Sequence, residues 1–397
     1  MTSQNERSPM YVVLAIMPTA IGLLTYQIPH SVNFLPWIWL YLCPLIAAVV
    51  LAGSRQKSKL SRPSWGVIIA SSVIVGASLL SLRYSASEPV VAGVYLFRNI
   101  ALLVLAWLMV SIVPDYRRLF CAILVGLSLW IALCYLVIAI EAGNPDYDWR
   151  RFFVSVRHVR HLGYLVVFQV GIAAGLAFTS DRRWQFLIAI LAGFTFANLA
   201  GGRAAILACL LAAMTAAVLS PSWKKNVGAV ACLYATSVPL SFIYIPPQDH
   251  WGIQRLILTV LGYTGSVNME AGRMMLWERA LDLIRQEPFY GHGDGQFIYH
   301  VQDLWPAFHP HNIYLQMVVQ FGVIGALAVS YLVGRGIWIN IQGQHRNVPA
   351  LAAVAGTLAL GLLDGPLFYT SALTLFVMCC AALYREDKLL RQARAKQ

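Results

Sequence analysis

Apolar runs long enough to cross a membrane recur along nearly the whole chain, and that recurrence limits the fold before any motif is read. About 17–25 apolar residues suffice for a helix to span a bilayer. Twelve such runs fall at roughly 10–28, 34–53, 64–82, 91–113, 118–140, 161–179, 184–200, 204–220, 227–245, 311–333, 349–363 and 367–384. Hydrocarbon offers no partner for a backbone N–H or C=O, so each run must satisfy its own backbone as a helix. The expected fold class is therefore all-α, a polytopic membrane protein with about 12 transmembrane helices. Composition agrees: 59% of the 397 residues are hydrophobic and only 12% charged, where a soluble domain is nearer a quarter charged. A soluble enzyme, a disordered chain and a disulfide-stapled secreted domain are excluded. The seven cysteines lie within apolar runs with no C-x2-C pair, which indicates neither a disulfide framework nor a zinc site. The first apolar run follows a single basic residue, Arg7, with no small-residue cleavage site after it, and reads as a retained helix rather than a leader.

The chain divides by this pattern into 1–245 with helices one to nine, a polar insertion at 246–310, and 311–397 with helices ten to twelve and a basic tail. Asp364-Gly365-Pro366 splits the last long apolar stretch and predicts a tight hairpin. Cations set the orientation. With the N-terminus in the cytoplasm, all six lysines fall in inner loops or the tail, as the positive-inside rule requires. Both termini are then cytoplasmic and the insertion lies on the outer face.

The cations left on the outer face are all arginines, among them Arg150, Arg151, Arg157, Arg160, Arg203, Arg273, Arg279 and Arg285. Arginine grips phosphate with a planar fork where lysine acts as a point charge. These arginines either line the interface and meet lipid headgroups or bind an anionic substrate. Arg157-His158 and Arg160-His161 stand beside the sixth run, a basic and imidazole cluster suited to a diphosphate. Asp146-Tyr147-Asp148 in the same loop mimics a metal-binding DxD, but the adjacent Arg150 and Arg151 favour a salt-bridged loop. Arg98 lies within the fourth run, where it must either support a polar cavity or snorkel to the interface.

Within the insertion, 268–286 predicts an amphipathic helix with Met274, Trp277, Leu281 and Ile284 as its apolar stripe. Pro288 stops it, and Gly291-His292-Gly293-Asp294-Gly295 follows as a flexible turn or a ligand-contacting loop. Next come His309-Pro310-His311-Asn312 at the start of the tenth run. Pro310 suits a first helical turn, which places His311 and Asn312 at a helix N-terminus. There His311 is either a headgroup contact or, as a neutral imidazole, a general base.

His311-Asn312, nine residues and then Gly322-x2-Gly325 resembles the H[NSQ]-x9-G signature of O-antigen ligases. Arg203-Ala204-Ala205-Ile206-Leu207 is similar to their R-x3-L motif, and Arg273-x3-Trp277 with the following glycine loop resembles the extracytoplasmic segment of the wider ligase/polymerase superfamily. The resemblance implies a GT-C-like, inverting, metal-independent glycosyltransferase of the bacterial inner membrane with its active site on the periplasmic face and no cofactor. Its donor would be a glycan on undecaprenyl pyrophosphate and its acceptor the lipid A–core oligosaccharide of lipopolysaccharide. Carried over, His311 is the catalytic base, and Arg203 and Arg273 hold the pyrophosphate. Arg157, Arg160, His158 and Asn312 join them as substrate-binding residues, with no metal ligand. The chemistry asks for the same parts: glycosyl transfer needs an activated nucleophile and a stabilised anionic leaving group. The resemblance leaves open an O-antigen polymerase or a protein O-oligosaccharyltransferase. A lipid-linked oligosaccharide flippase is the non-enzymatic alternative, which would place charges near the bilayer midplane in related halves. Nothing in the chain suggests a nucleic-acid partner.

Overall fold

The computed structural model describes residues 62–84, 89–113, 115–141, 144, 159–180, 183–242, 269–304, 307, 309–343 and 346–384. Among them every regular element is helical: α1 (Trp65–Ser81), α2 (Pro89–Ile112), α3 (Tyr116–Glu141), α4 (Val159–Phe178), α5 (Trp184–Ala200), α6 (Arg203–Val218), α7 (Trp223–Leu240), α8 (Met269–Gln286), α9 (Ile313–Gln342), α10 (Val348–Leu360) and α11 (Thr370–Leu383), with short 3-10 turns. By length and composition Ala92–Ile112, Tyr116–Glu141 and Ile313–Gln342 can each cross a membrane, and six shorter apolar helices accompany them. The runs at 10–28 and 34–53 lie outside the described residues. Helix α9 continues nine residues past the expected end of its apolar run, through Arg335 to Gln342, because the loss of apolar character ends a span without ending a helix.

The described residues form two compact units that alternate along the chain. The first takes its helices from 114–265 and 347–360, the second from 62–113, 266–346 and 361–384.

In the first unit α4 is central and packs against α5, α6 and α10. Its described side chains from Leu162 to Phe178 are all buried. A helix apolar on every face needs neighbours on every face. Small residues let them approach: Gly171 and Gly175 of α4 lie against the backbone of Ala352, Ala353 and Pro349 in α10, and Gly356 of α10 lies against Ala212 of α6. Between apolar helices such close van der Waals packing supplies the attraction that water exclusion cannot. Two buried amides join neighbouring helices: Gln169 donates to the Ala189 carbonyl at 3.0 Å, and Asn198 to the Ser237 hydroxyl at 2.9 Å.

In the second unit α9 packs against α1, α8 and α11, and α2 against α11. Helix α8 buries Leu276, Ala280 and Leu283 against Phe297, Val301, Ala307 and Val319. This corrects the expected stripe, since Met274 and Leu281 are exposed. Two overlapping apolar faces run along this helix, and the one carrying the small Ala280 permits the closer approach to α9.

Helix α9 is broken at Gly322 (φ 64°, ψ −178°). Only glycine adopts that conformation readily, and a Cβ there would collide with the Phe289 carbonyl. The backbone groups freed by the break are taken up by segment 288–293. The His292 amide donates to the Val319 carbonyl at 2.7 Å, Gly293 to Gln320 at 3.1 Å, and the Val323 amide to the Pro288 carbonyl at 2.8 Å. The loop after α8 is thereby spliced into α9.

Candidate functional site

The site residues of the second unit gather around the start of α9. Asn312 is its N-cap: the side-chain oxygen accepts from the amides of Tyr314 at 2.9 Å and Leu315 at 3.0 Å. Its Nδ2 donates to the Leu362 carbonyl at 3.1 Å. Such a cap contributes about 1 kcal/mol, and here it also ties α9 to the 361–364 turn.

His311 precedes the cap with φ 52°, the one non-glycine positive φ among the described residues. Its Nδ1 lies 2.8 Å from Asp364 Oδ1, which also accepts from the Gly365 amide at 2.9 Å. Both side chains are partly exposed. Holding the proton on Nδ1 leaves Nε2 with its lone pair, the arrangement by which a carboxylate orients an imidazole base. Buried His309 completes the support. Its Nδ1 accepts from the His311 amide at 3.1 Å, and its ring packs against those of His311, Phe368 and Tyr369.

Helix α8 reaches the same turn. The indole N–H of Trp277 donates to the Pro310 carbonyl at 2.9 Å. Arg273 is partly buried one helical turn before Trp277, and residues four apart share a helix face. The Arg273-x3-Trp277 spacing thus puts a guanidinium on the face docked to the histidine turn.

Arg203 stands in the first unit, at the first position of α6. The chain turns there on Gly201, left-handed with φ 64° and capping α5, and then on Gly202, the N-cap of α6. Arg157 and His158 lie outside the described residues, as do Asp146 and Asp148; for Arg160 only the backbone, in the first turn of α4, is described. The structure gathers His309, His311, Asn312 and Asp364 at one turn of the second unit, with Arg273 one helical turn before Trp277 on α8, and places Arg203 in the first unit.

Sequence reasoning read Asp364 as a hairpin residue and missed it as the partner of His311. The available signal was a lone carboxylate inside an apolar stretch, which is costly unless paired. Arg98 also finds its partner. It does not snorkel: it is 2% exposed and ion-pairs with Asp294 of the glycine loop. Asp294 also accepts from Gln320 Nε2 at 2.8 Å, and Arg98 lies over the Tyr95 ring at 5.0 Å. The buried charges join α2, the glycine loop and the break in α9.

His309, His311 and Asp364 offer ligand atoms within 4.8 Å of one another, the cluster among the described residues with metal-binding geometry. Elsewhere in the segment between α7 and α9, burial first, then the positive fields of His292 and Arg279, pushes His300 below the ordinary imidazole value. It stays neutral near pH 7 and adds no cation there.

Residues 186–330 match the family model described as O-antigen ligase. The match takes in Arg203, Arg273, His311 and Gly322 and supports the O-antigen ligase/polymerase superfamily, without separating ligase from polymerase. A search of curated proteins finds no match.

Proposed function

We propose that this protein is an inverting, metal-independent glycosyltransferase that moves a glycan from undecaprenyl pyrophosphate to lipid A–core oligosaccharide on the periplasmic face of the inner membrane. The observation that carries the reading is the His311–Asp364 hydrogen bond of 2.8 Å at the N-terminus of α9, within a chain whose central part matches the O-antigen ligase family. In the reaction, the acceptor hydroxyl oxygen attacks the anomeric carbon of the donor and passes its proton to His311 Nε2. The bond between that carbon and the phosphate oxygen breaks, and its electron pair leaves with undecaprenyl pyrophosphate. Asp364 keeps the base in its reactive tautomer and stabilises the imidazolium. Arg273, Arg203 and the basic cluster of Arg157, His158 and Arg160 bind the pyrophosphate and neutralise the leaving group, as bidentate arginines suit phosphate. Twelve spans with both termini cytoplasmic put these groups on one face. The one-sided gathering of charge favours an enzyme over a flippase, which has no use for an oriented base.

The test is purified protein with an undecaprenyl-pyrophosphate glycan and either lipid A–core or a second lipid-linked glycan as acceptor. Transfer to lipid A–core is expected; elongation of the lipid-linked glycan instead would make it a polymerase. His311→Ala is expected to lower turnover roughly 10²–10⁴-fold, as loss of a general base does, while the protein remains folded and inserted. Turnover near that of the unaltered protein would remove His311 from the mechanism. Activity is expected to survive EDTA. Complete loss in EDTA, restored by a divalent ion, would instead make His309, His311 and Asp364 a metal centre.

A further inference from the structure

His309, His311 and Asp364 meet at one turn of the second unit, and each offers a ligand atom within 4.8 Å of the other two. The hydrogen bonds of the turn already fix where the lone pairs lie. His309 Nδ1 accepts from the His311 amide at 3.1 Å, so the neutral ring carries its proton on Nε2 and keeps a lone pair on Nδ1. Asp364 Oδ1 stands 2.8 Å from His311 Nδ1 and accepts from the Gly365 amide at 2.9 Å. The buried His309 ring packs against Phe368 and Tyr369. His311 and Asp364 are partly exposed, which gives an ion an approach from water. Two imidazoles and a carboxylate are the donor set of zinc sites that use three protein ligands and keep the fourth position for water. They suit Zn²⁺ over Mg²⁺ and Ca²⁺, which favour oxygen ligands throughout.

Zinc bonds of about 2.0–2.1 Å set the ligand atoms of a tetrahedron about 3.3 Å apart. The His311–Asp364 contact of 2.8 Å therefore opens by about 0.5 Å as His309 closes on it, a change that turning the two partly exposed side chains supplies. We propose that this turn is an inhibitory zinc site, where an ion held by His309, His311 and Asp364 disables the base. The inference rests on the reading of His311 as the general base. In the hydrogen-bonded turn Asp364 keeps the proton on His311 Nδ1, and Nε2 carries the reactive lone pair. Zinc on Nδ1 displaces that proton to water, and the neutral ring takes one up on Nε2. No proton is gained or lost overall, but the lone pair that accepts from the sugar hydroxyl is gone. Asp364 changes from orienting the imidazole to binding the ion. Zinc and catalysis thus exclude each other, in keeping with a transfer that needs no metal.

The test titrates the full-length protein, purified without a histidine tag and placed in phosphatidylethanolamine nanodiscs, with Zn²⁺ by calorimetry and with Co²⁺ by visible absorption. One ion per protein and the intense bands of tetrahedral Co²⁺ are expected, and excess Mg²⁺ should not compete. His309→Gln keeps an oxygen that can accept from the His311 amide but removes a ligand, and Asp364→Asn removes another. Each should weaken Zn²⁺ binding by at least about 10–100-fold, the range that loss of even a ligand's supporting partner produces. Should His309→Gln fail to fold, Asp364→Asn and the Co²⁺ spectrum decide. His300→Gln is the control, because His292 and His300 form a second pair of histidine rings in contact, 4.9 Å apart, and it should leave binding unchanged. In the transfer assay Zn²⁺ should inhibit over the concentration range in which it binds, and EDTA should restore turnover. No saturable binding, an octahedral Co²⁺ spectrum, unchanged affinity in both ligand variants or loss of binding in His300→Gln would overturn the site. Full turnover with zinc bound would overturn its inhibitory role. Zinc binding at this turn without any glycan transfer would keep the site and remove the proposed activity, whereas transfer by a protein that binds no zinc would do the reverse.

Discussion

His311 holds its ring on a backbone that its β-carbon disfavours, since φ of 52° lies in the left-handed region. Conformations of that kind cost of order 1–3 kcal/mol and persist where surrounding contacts over-determine them. Here the contacts are the Asn312 cap after it, the His309 ring beside it and the Asp364 carboxylate at its Nδ1. Asp364→Asn keeps an oxygen that can accept from Nδ1 but removes the charge that stabilises the imidazolium. Its expected effect is a fall in turnover smaller than that of His311→Ala, with acceptor affinity nearly unchanged, read from separate kcat and KM values. A kcat equal to that of the unaltered protein would show that the carboxylate serves the fold alone. The place of His311 and Asn312 at a helix start was legible because a helix start is a local pattern. Asp364 was not, because its partner lies 53 residues earlier and spacing carries no information about that contact.

At the level of elements, the positions of the described helices were readable from the apolar runs, whereas the break inside α9 was not. Gly322 reads in the sequence as a small residue for helix packing. In the structure its φ of 64° opens the helix to the 288–293 segment. The face of α8 that turns inward was also hidden, because its two apolar faces differ mainly in side-chain size, and size is decided by the partner helix. Gly322→Ala should therefore cost about 1–3 kcal/mol in backbone strain, more once the Phe289 carbonyl is displaced, and should lower transfer by loosening the loop that seats Asp294. Gly334→Ala in the same helix is the control. A Cβ there meets nothing within 4 Å, so replacing this helical glycine should be neutral or stabilise by roughly 0.5–1 kcal/mol. Thermal unfolding and turnover of both variants check this, and equal behaviour of the two would mean the break is incidental.

Across the whole molecule, the two units draw on alternating stretches of chain, the second resuming at Gly361 after α10. Hydropathy marks helices but not the unit each one joins, so this division was invisible beforehand. The Arg98–Asp294 pair shows what sequence could signal, an arginine in an apolar run, and what it could not, a partner 196 residues later in a glycine loop. Both side chains are almost fully buried. Breaking such a pair from one side leaves an uncompensated charge and costs about 3–5 kcal/mol, whereas replacing both members can be nearly neutral. Arg98→Met should accordingly destabilise the protein strongly, because among the described residues Asp294 then keeps only the Gln320 amide. Asp294→Asn alone leaves the guanidinium without its carboxylate, beside the Phe368 carbonyl and the Tyr95 ring. The double substitution Arg98→Met with Asp294→Asn removes both charges and still offers Gln320 an amide oxygen in place of the carboxylate. It should be more stable than either single variant, a coupling measured by unfolding the purified protein in nanodiscs. Residues in contact are expected to couple by about 0.5–3 kcal/mol. Strictly additive losses would mean that the two charges are compensated separately and that the ion pair does not hold the glycine loop to α2.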